Sequence, residues 1–368
     1  MSNNLLSKLY TGDGGLDFVG QRRKWYAITA GILLVCLVAI GIRGFSLGID
    51  FVGGTKMNMP AAQLNTQQVE RTFEDATGIT PEQVQIVGAG DSRILEITSE
   101  RLNQDQIDAA RNALYEQYKP ENASGEQTPD AIGDSTVSES WGSTITSRML
   151  LAMGVFLAAV FIYIALRLER KMGVAAMLAL LVDLVVIAGI YSLVGFEVTP
   201  ATVIGLLTVL AFSLYDTVIV FDKVRELTAG YLGNRRRTYG ELANEAVNQT
   251  VMRSISTTII SALPILALMV VAVWLMGVGT LKDLALVQLI GVVEGTFSSI
   301  FLATPLLVSL KEREAKVKAH NAQVLRAREH VEDPEDEAID EAIIHDRLDT
   351  EKPQTPPSTG ATWRPGQG

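Results

Sequence analysis

Apolar residues in this chain gather into long blocks instead of recurring at periods of two or 3.6. Six stand out: Trp25–Ile42, Met149–Leu166, Met172–Phe196, Val198–Phe221, Ser254–Leu281 and Leu284–Leu310. A hydrocarbon layer about 30 Å thick needs roughly 20 residues of helix, so each block can cross it, the later ones with length to spare for tilt. The pattern predicts an α-helical membrane protein with six transmembrane helices, the first over residues 25–43 and the other five within 148–310.

Residues 44–147 break this pattern. They are polar, acidic and too long for a loop, which predicts a small α+β domain outside the membrane. A strand-like run, Leu47–Met59, leads into a helix with Asn65 and Gln68 at capping-box spacing and Val69, Phe73 and Ala76 on one face. Two β-rich runs, Val84–Val87 and Ile94–Thr98, flank the turn-forming Gly88-Ala89-Gly90-Asp91. Asn103 and Gln106 signal a second helix, whose stripe is Ile107, Ala110, Ala113 and Leu114. A polar linker, Glu121–Asp130, precedes a last short strand near Ile132–Val137. The order βαββαβ predicts a ferredoxin-like domain.

Charge settles the orientation. Basic residues near span ends mark the cytoplasmic side. Arg22, Arg23 and Lys24 precede the first span, and Arg167, Arg170 and Lys171 join the second and third. Lys223, Arg225 and Arg235 to Arg237 lie between the fourth and fifth, and Lys311, Arg313, Lys316 and Lys318 follow the sixth. All four segments fall on one side, so residues 1–24 and the C-terminus are predicted to be cytoplasmic and residues 44–147 extracytoplasmic. Arg43 and Arg148 dissent, but they flank a long domain, where the rule is weak. The Arg235–Arg237 cluster reads as this topology signal, with binding of anionic membrane lipid or a ribosome as the alternative. Residues 311–368 form an acidic, proline-containing tail, predicted to be disordered from about Ala319 for want of apolar surface. The net charge of −10 comes mainly from segments outside the bilayer and gives no reason to expect a nucleic-acid partner.

The inventory of reactive groups is short. The one cysteine, Cys36, lies in an apolar block, and the three histidines, His320, His330 and His345, all lie in the tail. Neither zinc spacing nor a nucleophile–base set is present, which argues against an enzyme and against a metal or other cofactor. Three acidic residues inside spans carry the candidate chemistry, because a charge near the bilayer centre costs about 2.5–3.5 kcal/mol and usually works on ions. Asp216 is the first, with hydroxyls on Ser213, Tyr215 and Thr217 around it and Arg253 as the basic residue placed to meet it from the next span. Measured from Phe221 and Thr250, the two lie about 7.5 Å and 4.5 Å deep at 1.5 Å per residue. Such a carboxylate either alternates between Arg253 and a proton or forms a static pair. Asp183 and Glu294 lie deeper, the first among apolar neighbours and the second between Gly291 and Gly295. Each is a candidate for a proton path or for an interhelical hydrogen bond. Gly48-Ile-Asp-Phe-Val-Gly-Gly-Thr55 supplies paired glycines, Gly53 and Gly54, with Asp50 placed to cap a turn. No Lys-Ser/Thr follows, so it is not a phosphate-binding loop.

These motifs together resemble the SecF family. Gly48–Thr55 is similar to the signature after that family's first helix. Leu214–Glu226, reading LYDTVIVFDKVRE, resembles its fourth-helix signature. Arg253 in VMRSISTT resembles its fifth-helix arginine, and GTFSSIFLATPLL at Gly295–Leu307 its sixth-helix pattern. The resemblance covers about Arg22 to Leu310. It implies half of an RND-type membrane domain, paired with a SecD-like subunit beside the SecYEG channel in the bacterial inner membrane. The proton gradient would drive export of preproteins, with proton passage at the residues matching Asp216 and Arg253. Glu294, where the family pattern has an uncharged residue, and the acidic tail are departures. An RND-type exporter, the rival class, has larger extracytoplasmic domains and about twelve spans per chain.

Overall fold

The computed structural model describes residues 16–61, 64–122, 124–233, 236–276 and 279–332. Six of its helices are long and apolar enough to cross a membrane, at Arg22–Arg43, Glu139–Arg167, Arg170–Val194, Pro200–Gly233, Tyr239–Leu275 and Leu281–Lys311. The chain is a multi-pass membrane protein. In order, α1 (Arg22–Arg43) is the first span and α5 (Glu139–Arg167) the second. The third and fourth are α6 (Arg170–Val194) and α7 (Pro200–Leu227). The fifth is α8 (Tyr239–Leu268), extended by π-helix over Met269–Leu275. The last runs from α9 (Gly279–Ser298) through a π-helical turn, Ser299–Ala303, into α10 (Thr304–Lys311).

Several helices outrun their apolar blocks because capping residues lie farther out. Ser138 accepts the Trp141 N–H and starts α5 well before Met149, so the helix begins inside the segment expected to be domain. Thr199 and Thr202 form a capping box ahead of Pro200, and Thr238 and Glu241 form another ahead of α8. α8 therefore starts well before Thr250, and α7 runs on past Phe221 to Leu227, so neither residue is a helix end.

Burial divides the bundle into two rings. Half or more of the apolar windows of α6, α7 and the last span is buried, against 11% in α1, α5 and α8. Leu150, Leu166 and Ile260 are among the exposed side chains of the outer helices, apolar as suits lipid-facing positions. Glycines bring α9 hard against α7. A Cβ on Gly291 would collide with Val209, and one on Gly295 would lie 2.7 Å from Ser213. The small residues beside Glu294 thus do what their size suggests.

Between α1 and α5 the chain forms β1 (Ser46–Leu47), α2 (Ile49–Val52), β2 (Gly54–Pro60), α3 (Thr66–Thr77), β3 (Gln83–Val87), β4 (Ile94–Ser99), α4 (Gln104–Tyr118) and β5 (Gly133–Val137). The four longer strands form a sheet in the order β3-β4-β2-β5, every neighbour antiparallel. This is a split βαβ topology with two helices packed on it. Met57, Met59, Leu95 and Ile97 from the sheet meet Val69, Phe73, Ile107 and Leu114 from the helices in one core.

Some local expectations need correction. Leu47–Met59 is not one strand, because α2 and its two glycines interrupt it. Asn65 caps α3 through the Gln67 N–H, without the reciprocal bond from Gln68. Asn103 and Gln106 do form a full box. The tail is helical over α11 (Ala315–Glu332), where its composition suggested disorder. Val317 and Val324 are buried there, and His320 meets the Arg237 carbonyl at 3.2 Å, so docking on the bundle supplies the burial that composition alone did not promise. Arg235, His345 and the acidic stretch after Glu332 lie outside the described residues, as does the side chain of His330.

Candidate functional site

Polar side chains inside the bundle converge on α7. Its buried face carries Ser213, Asp216 and Thr217. Asp216 is 5% exposed, and two hydroxyls hold it. Ser254 Oγ on α8 donates to Oδ1 at 2.7 Å, and Ser299 Oγ donates to Oδ2. Ser299 opens the π-helical turn and continues the face on which Gly291 meets Val209 and Gly295 meets Ser213, one further turn along. Thr304 Oγ1 donates to the Ser299 carbonyl at 3.4 Å, a partner that helps satisfy the widened turn. Thr258 and Thr296 exchange a hydrogen bond one helical turn away.

The expected pair with Arg253 does not form. Arg253 is exposed, and it makes no ion pair among the described residues. The next residue, Ser254, faces Asp216 instead. A helix turns about 100° per residue, so both cannot point the same way. The sequence held the signal: Thr250, Ser254 and Thr258 recur every four residues and form a hydroxyl stripe on one face of α8. The other hydroxyls assigned to Asp216 also divert. Ser213 Oγ donates to Asp183 Oδ2 on α6, and Tyr215 is 56% exposed. Thr217 is buried next to Asp216 in the chain.

Asp183 is 1% exposed and its Oδ1 has no partner among the described residues. Glu294 on α9 likewise has a buried, unpartnered Oε2. Val182 and Val186, which flank Asp183 on α6, line the same cavity as Glu294. The structure thus ties Asp183 to α7 through Ser213, holds Asp216 separately through Ser254 and Ser299, and leaves Arg253 out.

Gly48, Asp50, Gly53 and Gly54 build a joint between the domain and the bundle. β1 pairs in parallel with β6 (Glu197–Val198), the link between α6 and α7, and Gly48 N–H donates to the Val198 carbonyl at 2.9 Å. A Cβ on Gly48 would lie 2.8 Å from Glu197 Oε1. Gly53 and Gly54 have φ of 83° and 141°, which side chains rarely adopt. A Cβ on Gly54 would sit 2.6 Å from the Ser99 carbonyl. Asp50 lies in the first turn of α2, whose cap position is Gly48. Lys56 on β2 then reaches both oxygens of Glu197 at 3.2 Å. Burial alone would lower the Lys56 pKa, but the carboxylates of Glu197, Glu96 and Asp283 outweigh it and hold the ammonium above its ordinary value. Sequence reasoning missed this bridge because its partners are far apart in the chain.

The described geometry resembles known proteins over most of its length. The family described as protein export membrane protein SecD/SecF, C-terminal, matches residues 117–313, and the SecD/SecF GG motif matches residues 38–63. The protein translocase subunit SecF of Mycobacterium tuberculosis is 55% identical over 326 residues, covering 89% of this chain and 74% of that one. The protein translocase subunit SecDF of Thermus thermophilus is 30% identical, covering 84% of this chain and 40% of that one. A crystal structure of SecDF from Thermus thermophilus, described as a translocon-associated membrane protein, superposes with a TM-score of 0.69 at 28% identity. It covers 82% of this chain, and this chain spans 39% of its length.

Proposed function

Given that this chain belongs to the SecD/SecF family of protein-export membrane proteins, we propose that it is a SecF-type translocase subunit that couples proton movement to preprotein export. It is not an enzyme in this reading. It works with a SecD-like partner, since the Thermus thermophilus relative is a SecDF chain more than twice the matched length. The pair acts beside the SecYEG channel in the bacterial cytoplasmic membrane. Both termini and the Arg235–Arg237 loop lie in the cytoplasm, and the α+β domain lies outside, where it handles the emerging preprotein.

The observation that carries the coupling is Asp216. It is a buried carboxyl inside a span, held by the hydroxyls of Ser254 and Ser299 and by no cation among the described residues. Hydroxyls can donate to a carboxylate and can also accept from a carboxylic acid, so the site tolerates both protonation states. A fixed ion pair would favour only one. Moving one proton through 100 mV supplies about 2.3 kcal/mol, enough to bias two states that differ by a few kcal/mol. Exposed Arg253 lies one residue from Ser254 and is available to meet Asp216 or the partner in another state of the cycle.

The test is translocation of a preprotein into inverted vesicles with ATP present and the proton gradient imposed or collapsed. Asp216→Asn preserves size and most hydrogen bonding. It should assemble with the partner, retain the ATP-driven stage and lose the stimulation by the gradient. Full stimulation in the variant would leave a passive scaffold as the better description.

A further inference from the structure

A second polar site lies around Asp183 and Glu294. Seven buried side-chain polar atoms lack a partner among the described residues, and four of them belong to Thr29, Asp183, Glu294 and Ser298. Thr29, Glu294 and Ser298 line a single cavity of 510 Å³ between α1, α6 and α9, whose remaining walls are apolar. Asp183 comes from α6, whose Val182 and Val186 also line the cavity. Such a concentration is informative, because an unpaired buried polar group costs about 1–3 kcal/mol and native structures rarely keep one without a reason.

Two buried carboxyls beside one apolar cavity cannot both stay ionised without a cation. Among the described residues, no lysine, arginine or histidine lines the cavity. The remaining titratable group nearby, Cys36 on α1, directs its thiol to the Val186 carbonyl at 3.8 Å. Asp183 is the better anion of the two, because Ser213 Oγ donates to its Oδ2. The buried Oε2 of Glu294 receives no donor. We propose that Asp183 and Glu294 form a second proton-binding site, in which Glu294 holds the proton and donates its O–H to Asp183 Oδ1. One proton then satisfies two of the unpartnered atoms. The assignment stands whether or not Asp216 is the coupling carboxyl, because it concerns occupancy and not export.

The experiment is infrared spectroscopy of the full chain with its SecD-like partner in lipid nanodiscs at neutral pH, exchanged between water and deuterium oxide. The proposal predicts a protonated-carboxyl band that shifts with deuterium, disappears in Glu294→Gln and persists in Asp216→Asn. In Asp183→Asn the band should move without vanishing, because Glu294 keeps its proton and changes its acceptor. This second variant decides the matter if Glu294→Gln fails to insert. A band that Glu294→Gln leaves intact, or that Asp183→Asn leaves unmoved, would overturn the assignment. Loss of the band on replacing potassium chloride with sodium chloride would also overturn it, by showing that the site takes a metal cation in place of the proton.

Discussion

Replacing Lys56 with methionine should loosen the joint between the domain and the membrane helices by a measurable amount. Lys56 Nζ lies 3.2 Å from both oxygens of Glu197, whose side chain is 5% exposed against 23% for the lysine. At an effective dielectric of 20 the gross attraction at that distance is about 5 kcal/mol, most of it offset by lost hydration. Deleting one member of a fully buried pair costs about 3–5 kcal/mol, and an exposed pair is worth about 0–1 kcal/mol. A pair with one end buried and the other partly wet falls between them, at about 2–3 kcal/mol by that interpolation. Since 1.4 kcal/mol is tenfold, local opening should become roughly 30- to 150-fold more frequent. Hydrogen–deuterium exchange reads it at the Gly48 amide, which bonds to Val198 beside Glu197. Glu197→Gln should cost less, because the lysine left behind can reach water. The pH sign is fixed by the raised value of Lys56. Its contribution is complete below the ordinary lysine value, about 10.4, and fades only as pH rises through the higher folded value. Lysine titration should therefore leave the joint unchanged between about pH 5 and 9. An exchange rate at Gly48 that Lys56→Met does not alter would refute the bridge as a latch.

Three other outcomes follow from the same geometry. Ser254→Ala should cost about 1.5–3 kcal/mol in detergent unfolding, the worth of a hydrogen bond to a charged group, and clearly less in an Asp216→Asn background. Gly54→Ala meets both a φ of 141° and the Ser99 carbonyl, so it should destabilise the chain by about 1–3 kcal/mol and reduce its abundance in membranes. Cysteine placed at Ser92 should react with an impermeant reagent on intact cells and cysteine at Ser358 should not, the native Cys36 being buried. The reverse pattern would invert the proposed orientation.

What the sequence made legible follows from the physics that each feature obeys. Membrane helices announce themselves because every backbone group must be bonded within the span, so length and apolarity suffice. The split sheet was also readable, since Val84–Val87 and Ile94–Thr98 alternate around an evident turn and Asn103 with Gln106 form their box locally. Interhelical partners were not. Asp216 was identified by its cost in lipid, but its partners depend on rotation, and a shift of one residue from Arg253 to Ser254 changes a cation into a hydroxyl. The π-helical turn that opens at Ser299 has no distinctive composition. Lys56 and Glu197 are distant in sequence and meet only because β1 pairs with β6.

The central claim, that Asp216 passes protons as part of the cycle, is tested most directly by a proton-flux measurement. Proteoliposomes containing the full chain with its SecD-like partner would be given an imposed pH gradient, and its decay followed with an entrapped dye. The account predicts faster decay with the wild-type complex than with Asp216→Asn at equal incorporation, and Ser254→Ala changing the rate without abolishing it. Equal decay in wild type and Asp216→Asn would contradict the claim.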